Sequence, residues 1–375
     1  MQAQSELLIE SDKICQNWRF FARLQPKSHI LPVLKSDAYG HGLLQTAKAL
    51  NRAGVEPLVL FNVEEAQSLR QAGIDCQLWL LEGLLPEDME QAAALDLTLA
   101  CIGFEQLQAM AQYGQARQYR WRIHLKVDTG MARLGFKPEE LSTALEMIER
   151  TPALCLRGCF SHLAASDLPE CELTRQQVKK FRQVLELLPS ACDELHLCAS
   201  NGILNGIMPE LPYARLGIGL YGYCGVPQYA DALQAAMSLK SMVLSMKEVP
   251  EDNPVSYGGT YRTTAKTRLA VVPVGYADGY PRALGNLGDV LIRGQRCPIR
   301  GRVCMGMLIA DVSHLPELQC GEEVILLGRQ GNERISAAEL ASKINSIPHE
   351  ILCNLGKHPR RRFVQEAATS KSECD

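Results

Sequence analysis

The first 220 residues alternate between short apolar runs and longer amphipathic stretches, and this alternation most constrains the fold. Stretches 42–53 and 174–188 carry apolar residues at the i, i+3, i+4 and i+7 spacing of a half-buried helix. Eight strand-like runs separated by such stretches predict an α/β fold, a (β/α)8 TIM barrel. An open doubly wound sheet is the alternative, but eight units in about 220 residues fit the barrel better. The runs span residues 31–35, 57–62, 77–82, 97–101, 121–127, 154–160, 194–198 and 213–218.

The pattern changes after about residue 233. Helical spacing fades, glycine and proline punctuate the chain, and five strand-like runs follow one another closely, with one helix predicted near 336–344. The sequence therefore predicts two domains, a barrel over 1–233 and a mostly β C-terminal domain over 234–375. The five runs span residues 241–249, 268–274, 289–293, 307–312 and 322–328.

Charge and composition narrow the class of protein. The 375 residues carry a net charge of −3, which argues against nucleic acid as a partner. No uncharged apolar run is long enough to span a bilayer, and residues 1–13 lack the basic and apolar regions of a signal peptide. The 14 cysteines include no C-x-x-C pair, so we expect reduced thiols and no metal site. The expected location is the cytoplasm, without membrane contact.

Catalytic residues of such barrels lie at the carboxyl ends of the strands. Here those ends gather cationic and polar side chains, and a glycine-rich turn at 217–222 follows the eighth run. That turn suits a phosphate group, because backbone N–H groups can bind an anion. The side chains at or just after the strand ends are Lys35, Tyr39, Lys126, Arg133, His162, Ser200 and Arg215.

Lys35, at the end of the first run, suggests which cofactor is bound. A lysine in a dry pocket can form a Schiff base with a carbonyl cofactor. Residues 217–222 spell G-x-G-x-x-G, but a dinucleotide fingerprint follows the first strand of its domain and opens a long helix. Here the pattern follows the last strand, and Pro227 comes soon after. A phosphate site together with Lys35 therefore predicts pyridoxal 5′-phosphate rather than a dinucleotide.

Seven segments, in order along the chain, have the character of family motifs. They are V-L-K-S-D-A-Y-G-H-G (33–42), H-L-K-V-D-T-G-M-A-R-L-G-F (124–136), S-H-L-A-A-S-D (161–167), R-L-G-I-G-L-Y-G (215–222), V-S-Y-G-G-T-Y (255–261), V-G-Y-A-D-G-Y-P-R (274–282) and G-R-V-C-M-G-M (301–307). These segments closely resemble motifs of the alanine racemases. The fold that this resemblance implies, a barrel followed by a β domain, agrees with the pattern of runs.

The resemblance implies how the cofactor is held. Lys35 would bind pyridoxal phosphate covalently, and Arg215, hydrogen-bonded by His162, would face the pyridine nitrogen. The phosphate would be bound by Tyr39, Ser200 and the backbone of Gly217 and Ile218.

The resemblance also implies a substrate site that two subunits share. Arg133 would help bind the substrate carboxylate, and Lys126 matches a lysine that is carbamylated in relatives. Tyr257 would be the second acid/base, and the Met305 backbone would contact the substrate, both from the partner subunit of a homodimer. Racemisation needs a base on each face of the Cα atom, because one base cannot easily reach both. Lys35 and Tyr257 are chemically suited to these two positions.

Three positions depart from the family pattern. His349 stands where many relatives have a tyrosine that binds the phosphate, and an imidazole can still donate one hydrogen bond. Gly306 stands where an aspartate is usual, and Ala199 where an asparagine is frequent. None of the three is one of the two bases.

The resulting hypothesis is a cytoplasmic homodimer that interconverts L- and D-alanine with pyridoxal phosphate and supplies D-alanine for peptidoglycan. A serine or broad-specificity racemase on the same scaffold is the first alternative. A non-catalytic pyridoxal-phosphate carrier is disfavoured, since such barrels lack the β domain and hence Tyr257. A D-threonine aldolase is disfavoured because the second domain shows no cluster of metal ligands.

Overall fold

The computed structural model describes residues 5–364. The chain folds into two compact units. The barrel unit contains residues 14–38 and 43–234, and the β unit contains residues 5–13, 39–42 and 235–364. The first strand, β1 (Ser5–Glu10), belongs to the β unit. The domain limits of 1–233 and 234–375 remain a prediction.

The barrel unit is built on eight parallel strands, which confirms the predicted fold class. Neighbouring strands pair in the order β2-β9-β8-β7-β6-β5-β4-β3, and a parallel bridge between Val33 and Val59 joins the two end strands. Seven of the eight predicted runs contain one of these strands, and the first run, 31–35, overlaps its strand only at residues 31 and 32. They are β2 (His29–Pro32), β3 (Leu58–Leu60), β4 (Leu78–Leu80), β5 (Thr98–Cys101), β6 (Trp121–Lys126), β7 (Leu154–Phe160), β8 (Glu194–His196) and β9 (Tyr213–Leu216).

Helices alternate with these strands, and local sequence signals set their ends. Helix Val63–Gln71 begins after Asn62, whose side-chain oxygen accepts a hydrogen bond from the Glu65 N–H at 2.8 Å. Gly73, with φ of 76°, follows its end. Within residues 5–364, no helix is both long and apolar enough to cross a bilayer. Up to residue 204, the right-handed α-helices are Ser11–Leu24, Leu43–Arg52, Val63–Gln71, Met89–Ala94, Phe104–Arg117, Leu141–Glu149, Glu172–Leu187 and Ser200–Leu204.

The first barrel strand ends before Lys35, earlier than the sequence predicts. Residues 36–39 all have φ near 54°, a left-handed turn that cannot continue a strand. The Ser36 N–H donates to Glu65 Oε1 at 2.8 Å, and the Leu43 N–H donates to Asp37 Oδ1 at 2.7 Å. Each left-handed non-glycine residue costs about 1–2 kcal/mol. The turn that follows Lys35 is therefore strained backbone held by side-chain hydrogen bonds.

The described part of the β unit contains three sheets, which confirms its mostly β character. The largest has the order β16-β15-β18-β10-β1-β20, with β19 on β18; β11-β14-β17 and β12-β13 form the other two. β1 pairs antiparallel with β10 and parallel with β20. The predicted run 241–249 is divided between two strands of different sheets. The strands are β10 (Met237–Met242), β11 (Ser245–Val249), β12 (Pro254–Val255), β13 (Tyr261–Arg262), β14 (Thr267–Val272), β15 (Asp289–Ile292), β16 (Gln295–Pro298), β17 (Leu308–Asp311), β18 (Glu323–Gln330), β19 (Glu333–Ile335) and β20 (Arg361–Val364), and the helices are Ala337–Lys343 and Pro348–Leu355.

Candidate active site

The parallel strands bring most of the predicted site residues of the barrel unit to one rim. Lys126 is the last residue of β6, His162 follows β7, and Arg215 lies in β9. Ser200 begins the helix after β8, and Lys35 follows β2. Because the carboxyl ends of parallel barrel strands meet at one rim, residues from five separate segments share it.

Arg215 is buried at this rim, with 4% of its surface exposed. Its Nη2 donates to the carbonyl oxygens of Ser161 and Leu197, both at 2.7 Å, and to Nδ1 of His162 at 3.0 Å. Its Nη1 donates to Nδ1 of His196. Burial, reinforced by the charge of Arg215, holds the pKa of His162 and of His196 well below the usual range. Both imidazoles are therefore neutral acceptors for the guanidinium.

Ser200 and the glycine-rich turn after β9 form an arrangement of donors around one oxygen. The Ser200 Oγ accepts hydrogen bonds from the N–H groups of Gly217 at 3.2 Å and Gly219 at 3.0 Å. Two backbone N–H groups that converge on one oxygen are suited to an anion. The segment that follows is a single 3-10 turn, Ile218–Tyr221. This short turn does not have the long helix that a dinucleotide fingerprint requires.

The rim carries a concentration of positive charge. The amine of half-buried Lys35 lies 4.3 Å from the centre of the Phe61 ring. Burial is the largest cause of the lowered pKa of His162, and the charges of four cations lower it further. All four cations therefore act on the same part of the rim. In order of effect they are Arg215, Arg133, Lys126 and Lys35.

Lys126 is the buried lysine of this group, with 7% of its surface exposed. Burial, and then the charges of Arg133 and Arg215, lower its pKa to about 8. The nearby carboxylate of Asp128 accepts backbone hydrogen bonds from Gly130 and Met131, both at 2.8 Å. A small cavity of about 10 Å³ is lined by Lys126, Arg133, Ser161 and His162, among others.

Tyr39 and His349 lie together in the β unit, with ring centres 5.8 Å apart. Tyr39 is the last residue of the left-handed turn, and His349 lies in helix Pro348–Leu355. A side chain at Gly40 would place its Cβ 2.5 Å from the Leu352 carbonyl oxygen, so glycine permits this close approach. The two residues that the family resemblance assigns to one phosphate group are therefore neighbours.

Tyr257 and Met305 are exposed residues of the β unit, at 68% and 63%. Tyr257 begins the 3-10 turn Tyr257–Gly259. Ser256, just before it, has φ 62° and ψ −172°, a conformation that non-glycine residues rarely adopt. The Ser256 hydroxyl donates to the Arg302 carbonyl at 2.7 Å. Sequence reasoning did not single out Ser256, because no local signal marks this backbone conformation.

Comparison with known protein families accounts for this arrangement. Residues 9–225 match the sequence model described as alanine racemase, N-terminal domain, and residues 236–363 match alanine racemase, C-terminal domain. The chain belongs to the alanine racemase family.

Individual members of the family resemble the chain over most of its length. It is 36% identical over 343 residues to the alanine racemase of Methylacidiphilum infernorum, and the aligned region covers 91% of this chain and 87% of that protein. It is 37% identical over 353 residues to the alanine racemase of Syntrophobacter fumaroxidans, and the aligned region covers 93% of this chain and 94% of that protein.

Solved structures of the family have the same fold. The alanine racemase from Bartonella henselae with covalently bound pyridoxal phosphate aligns with a TM-score of 0.90 at 28% identity, covering 96% of this chain and 100% of that one. The alanine racemase from Bacillus anthracis with bound L-Ala-P aligns with a TM-score of 0.89 at 30% identity, covering 98% and 96%.

The barrel unit of this family member fits pyridoxal phosphate. The amine of Lys35 supplies a group for an aldehyde, and the donors that converge on Ser200 Oγ suit a phosphate. The cations around His162 balance the negative charge that such a group brings. The donor set therefore matches the cofactor that the family implies.

Three buried polar residues inside the barrel were missed by sequence reasoning. They are His124 on β6 and Glu194 and His196 on β8. The period of two along a strand is the signal that could have found them. His124 and Lys126 are two residues apart, so both lie on the same side of β6. Glu194 and His196 lie on the same side of β8 for the same reason.

The lowered pKa of Lys126 predicts that the stability of the protein depends measurably on pH. Its pKa is about 8 in the folded protein against 10.5 for an ordinary lysine, so the folded state binds this proton less tightly than the unfolded state. The charged amine therefore destabilises the fold below pH 8, by about 3 kcal/mol at most. This penalty should disappear as the pH rises from about 8 to 10.5. The Lys126→Met variant has no such amine, so its unfolding free energy should lack this component.

The measurement is chemical unfolding of both proteins between about pH 7 and 10.5 in buffer free of carbon dioxide. Lys27→Met, at an exposed lysine of the same unit, is the control. The unmodified protein should gain stability relative to Lys126→Met across this interval, but not relative to the control. A constant difference from Lys126→Met would contradict the lowered pKa.

Proposed function

We propose that this protein is an alanine racemase that interconverts L- and D-alanine with pyridoxal phosphate. The observation that carries the proposal is the arrangement of Lys35, Ser200, Arg215 and Gly217 at one rim of a single barrel. The relatives named above support the substrate, because they are named as alanine racemases.

Each cofactor ligand has a distinct task in this proposal. Pyridoxal phosphate, when bound, supplies an electron sink that makes the Cα–H bond of an attached amino acid acidic. Lys35 would hold it covalently, and Arg215 would donate a hydrogen bond to its ring nitrogen, because a guanidinium has donors only. His162 orients Arg215 by accepting from Nη2 at 3.0 Å. The phosphate ligands are Tyr39, Ser200, His349 and the backbone N–H groups of Gly217 and Ile218.

Two bases divide the proton transfer. Racemisation removes the Cα proton from one face and returns a proton to the other, so a base is needed on each face. We assign the Lys35 amine to the proton of D-alanine and the Tyr257 hydroxyl to the proton of L-alanine. Arg133 binds the substrate carboxylate, and the Met305 backbone contacts the substrate.

The proposed enzyme is a homodimer in which Tyr257 and Met305 of one subunit complete the site of the other. Exclusion of water prevents side reactions of the intermediates in such chemistry. Tyr257 is 68% exposed, which supports a covering surface that another chain contributes. A dimer with shared active sites supplies that surface.

We further propose that Lys126 carries carbon dioxide as a carbamate that holds Arg133 in place. A carbamate requires a neutral amine, and a pKa of about 8 leaves roughly a tenth of the amine neutral at pH 7. Arg133, which lines the same small cavity, is a cation that can pair with the new anion. Adding bicarbonate should therefore raise the free energy of unfolding of the unmodified protein but not of Lys126→Met, because the amine gives up its protons and binds carbon dioxide in the folded state far more than in the unfolded chain.

The proposed location is the cytoplasm, where the product serves peptidoglycan synthesis. Eleven cysteines within residues 5–364, Cys101 and Cys159 among them, are free thiols. Free thiols in this number are typical of proteins from a reducing compartment.

Racemisation of alanine is the direct test. The purified protein loaded with pyridoxal phosphate should convert either enantiomer of alanine to an equal mixture, and it should act on serine more slowly. Chiral chromatography of the products measures both reactions, and the Lys35→Ala variant is the inactive control. Racemisation of serine without that of alanine would contradict the proposed substrate, and activity in Lys35→Ala would contradict the assigned lysine.

The two bases should be separable by the enantiomer on which each acts. Tyr257→Ala retains Lys35 and should lose racemisation by about 100-fold or more, the scale for removing a positioned acid or base. The rate at which the Cα hydrogen of D-alanine exchanges in heavy water should fall much less in this variant. Mass spectrometry of each enantiomer after incubation gives the exchange rate. Equal loss of exchange for both enantiomers would refute a division between two bases.

The shared site predicts complementation between inactive subunits. Lys35→Ala and Tyr257→Phe chains are each inactive, but a mixed dimer has one site with both native residues. Mixing the two proteins should therefore restore part of the activity, up to about a quarter of the normal value for random pairing of equal amounts. Differently tagged chains report the exchange of subunits. Proven exchange without recovered activity would place each site within one chain.

A further inference from the structure

A series of hydrogen-bonded, buried side chains runs from Arg215 into the barrel, away from the rim. Arg215 Nη1 contacts His196 Nδ1, and His196 Nε2 lies 3.3 Å from His124 Nδ1. His124 Nε2 lies 2.6 Å from Glu194 Oε2, and the other oxygen of Glu194 accepts from Arg157 at 3.2 Å. The three central residues are buried, with exposures of 0%, 1% and 6% for His196, His124 and Glu194. A carboxylate is thus linked to Arg215 through two imidazoles.

The contacts themselves determine where each imidazole proton lies. A guanidinium can only donate, so His196 Nδ1 must accept and His196 carries its proton on Nε2. That proton points at His124 Nδ1, which must also accept, so His124 carries its proton on Nε2. The His124 proton in turn is donated to Glu194. All three hydrogen bonds therefore run in one direction, from Arg215 to the carboxylate.

Burial agrees with this assignment. It lowers the pKa of His124 and of His196, so both rings are neutral with one proton each. Burial opposes ionisation of Glu194, but hydrogen bonds from His124 and Arg157 outweigh it and lower the pKa of that carboxyl. Both oxygens of Glu194 accept, as expected of an ionised carboxylate.

The barrel wall is shaped to allow this contact. β7 lies between β6 and β8, and Gly158 of β7 is in register with His124 on one side and Glu194 on the other. A Cβ at Gly158 would lie 2.9 Å from His124 Cδ2 and from Glu194 Cβ, so the missing side chain leaves the space in which they meet. Trp79 packs edge-on to His124 with ring centres 4.4 Å apart, and Phe160 stacks on His196 at 4.6 Å.

We propose that Glu194, His124 and His196 are positioning residues that form a one-directional hydrogen-bond relay and hold Arg215 in its working orientation. The inference rests on the proposed function, in which Arg215 binds the cofactor ring. The relay compensates a buried cation with a carboxylate that stays below the rim. A carboxylate in direct contact with Arg215 would bring negative charge to the place where anionic groups bind.

The hydrogen positions can be read directly in the unmodified protein. Neutron diffraction from crystals of the deuterated holoenzyme should show one deuterium on each ring, on Nε2 of both His124 and His196, and none on the carboxyl of Glu194. A deuterium on Nδ1 of either ring would overturn the relay. This outcome does not depend on catalysis, whereas failure of the loaded protein to racemise alanine would overturn the proposed function alone.

The Glu194→Gln variant tests whether the direction matters for the reaction. The amide of glutamine keeps the shape of the carboxylate but can also donate a hydrogen bond, so it no longer fixes the direction of the hydrogen bonds in the relay. We expect kcat for alanine to fall by about 10-fold, the scale on which outer partners of catalytic groups act, with little change in KM. The imidazole nitrogen signals in ¹⁵N NMR should show a mixture of the two proton positions.

Asp193→Asn is the matched control. Asp193 lies 3.6 Å from the same Arg157 group, but its side chain is 69% exposed and it is not a member of the relay. It should leave both kcat and the imidazole signals unchanged. Equal kcat and equal imidazole signals in the two variants would overturn the relay as a positioning device. If Glu194→Gln does not fold, the neutron result alone decides the proposal.

Discussion

The buried guanidinium of Arg215 is the charge around which the barrel interior is organised. An ionised group taken out of water is stable only where its hydrogen bonds are satisfied, because an uncompensated buried charge costs several kcal/mol. Carbonyl oxygens of Ser161 and Leu197 supply part of this requirement, and the imidazoles of His162 and His196 supply more. All four acceptors are neutral, so the charge of Arg215 is solvated without being cancelled at the rim.

The other charged groups of the rim follow the same principle. Lys126 lies among cations, and its pKa falls to about 8 as a result of burial and of Arg133 and Arg215. The nearby carboxylate of Asp128 is occupied by backbone N–H groups, including that of Arg133 at 3.2 Å. Burial opposes ionisation of Asp128, but these bonds outweigh it and lower the pKa of its carboxyl. The rim therefore keeps a positive potential that suits a phosphate and a substrate carboxylate.

Some of this could be predicted from sequence because it depends on local pattern and on parallel topology. Eight apolar runs identify the barrel, and the shared rim then places Lys126, His162 and Arg215 together. The pairing of β1 with β10 and β20 leaves no local signal, since its partners are more than 220 residues away. The left-handed turn at 36–39 contains no glycine to announce it. The contact between His124 and Glu194 depends on which side chains meet across β7, which periodicity alone does not specify.

Tyr257 shows how strained backbone can supply an orientation that burial does not. Most of its side chain is exposed, so packing within its own chain restricts it little. The restriction comes from Ser256, whose conformation costs about 1–3 kcal/mol and is held by the hydrogen bond to the Arg302 carbonyl. Arg302 precedes Met305 in the same loop, so this bond also ties the Tyr257 turn to the Met305 loop. In the proposed dimer, both residues are thus ordered before the subunits meet, and less conformational entropy is lost when they complete the neighbouring site.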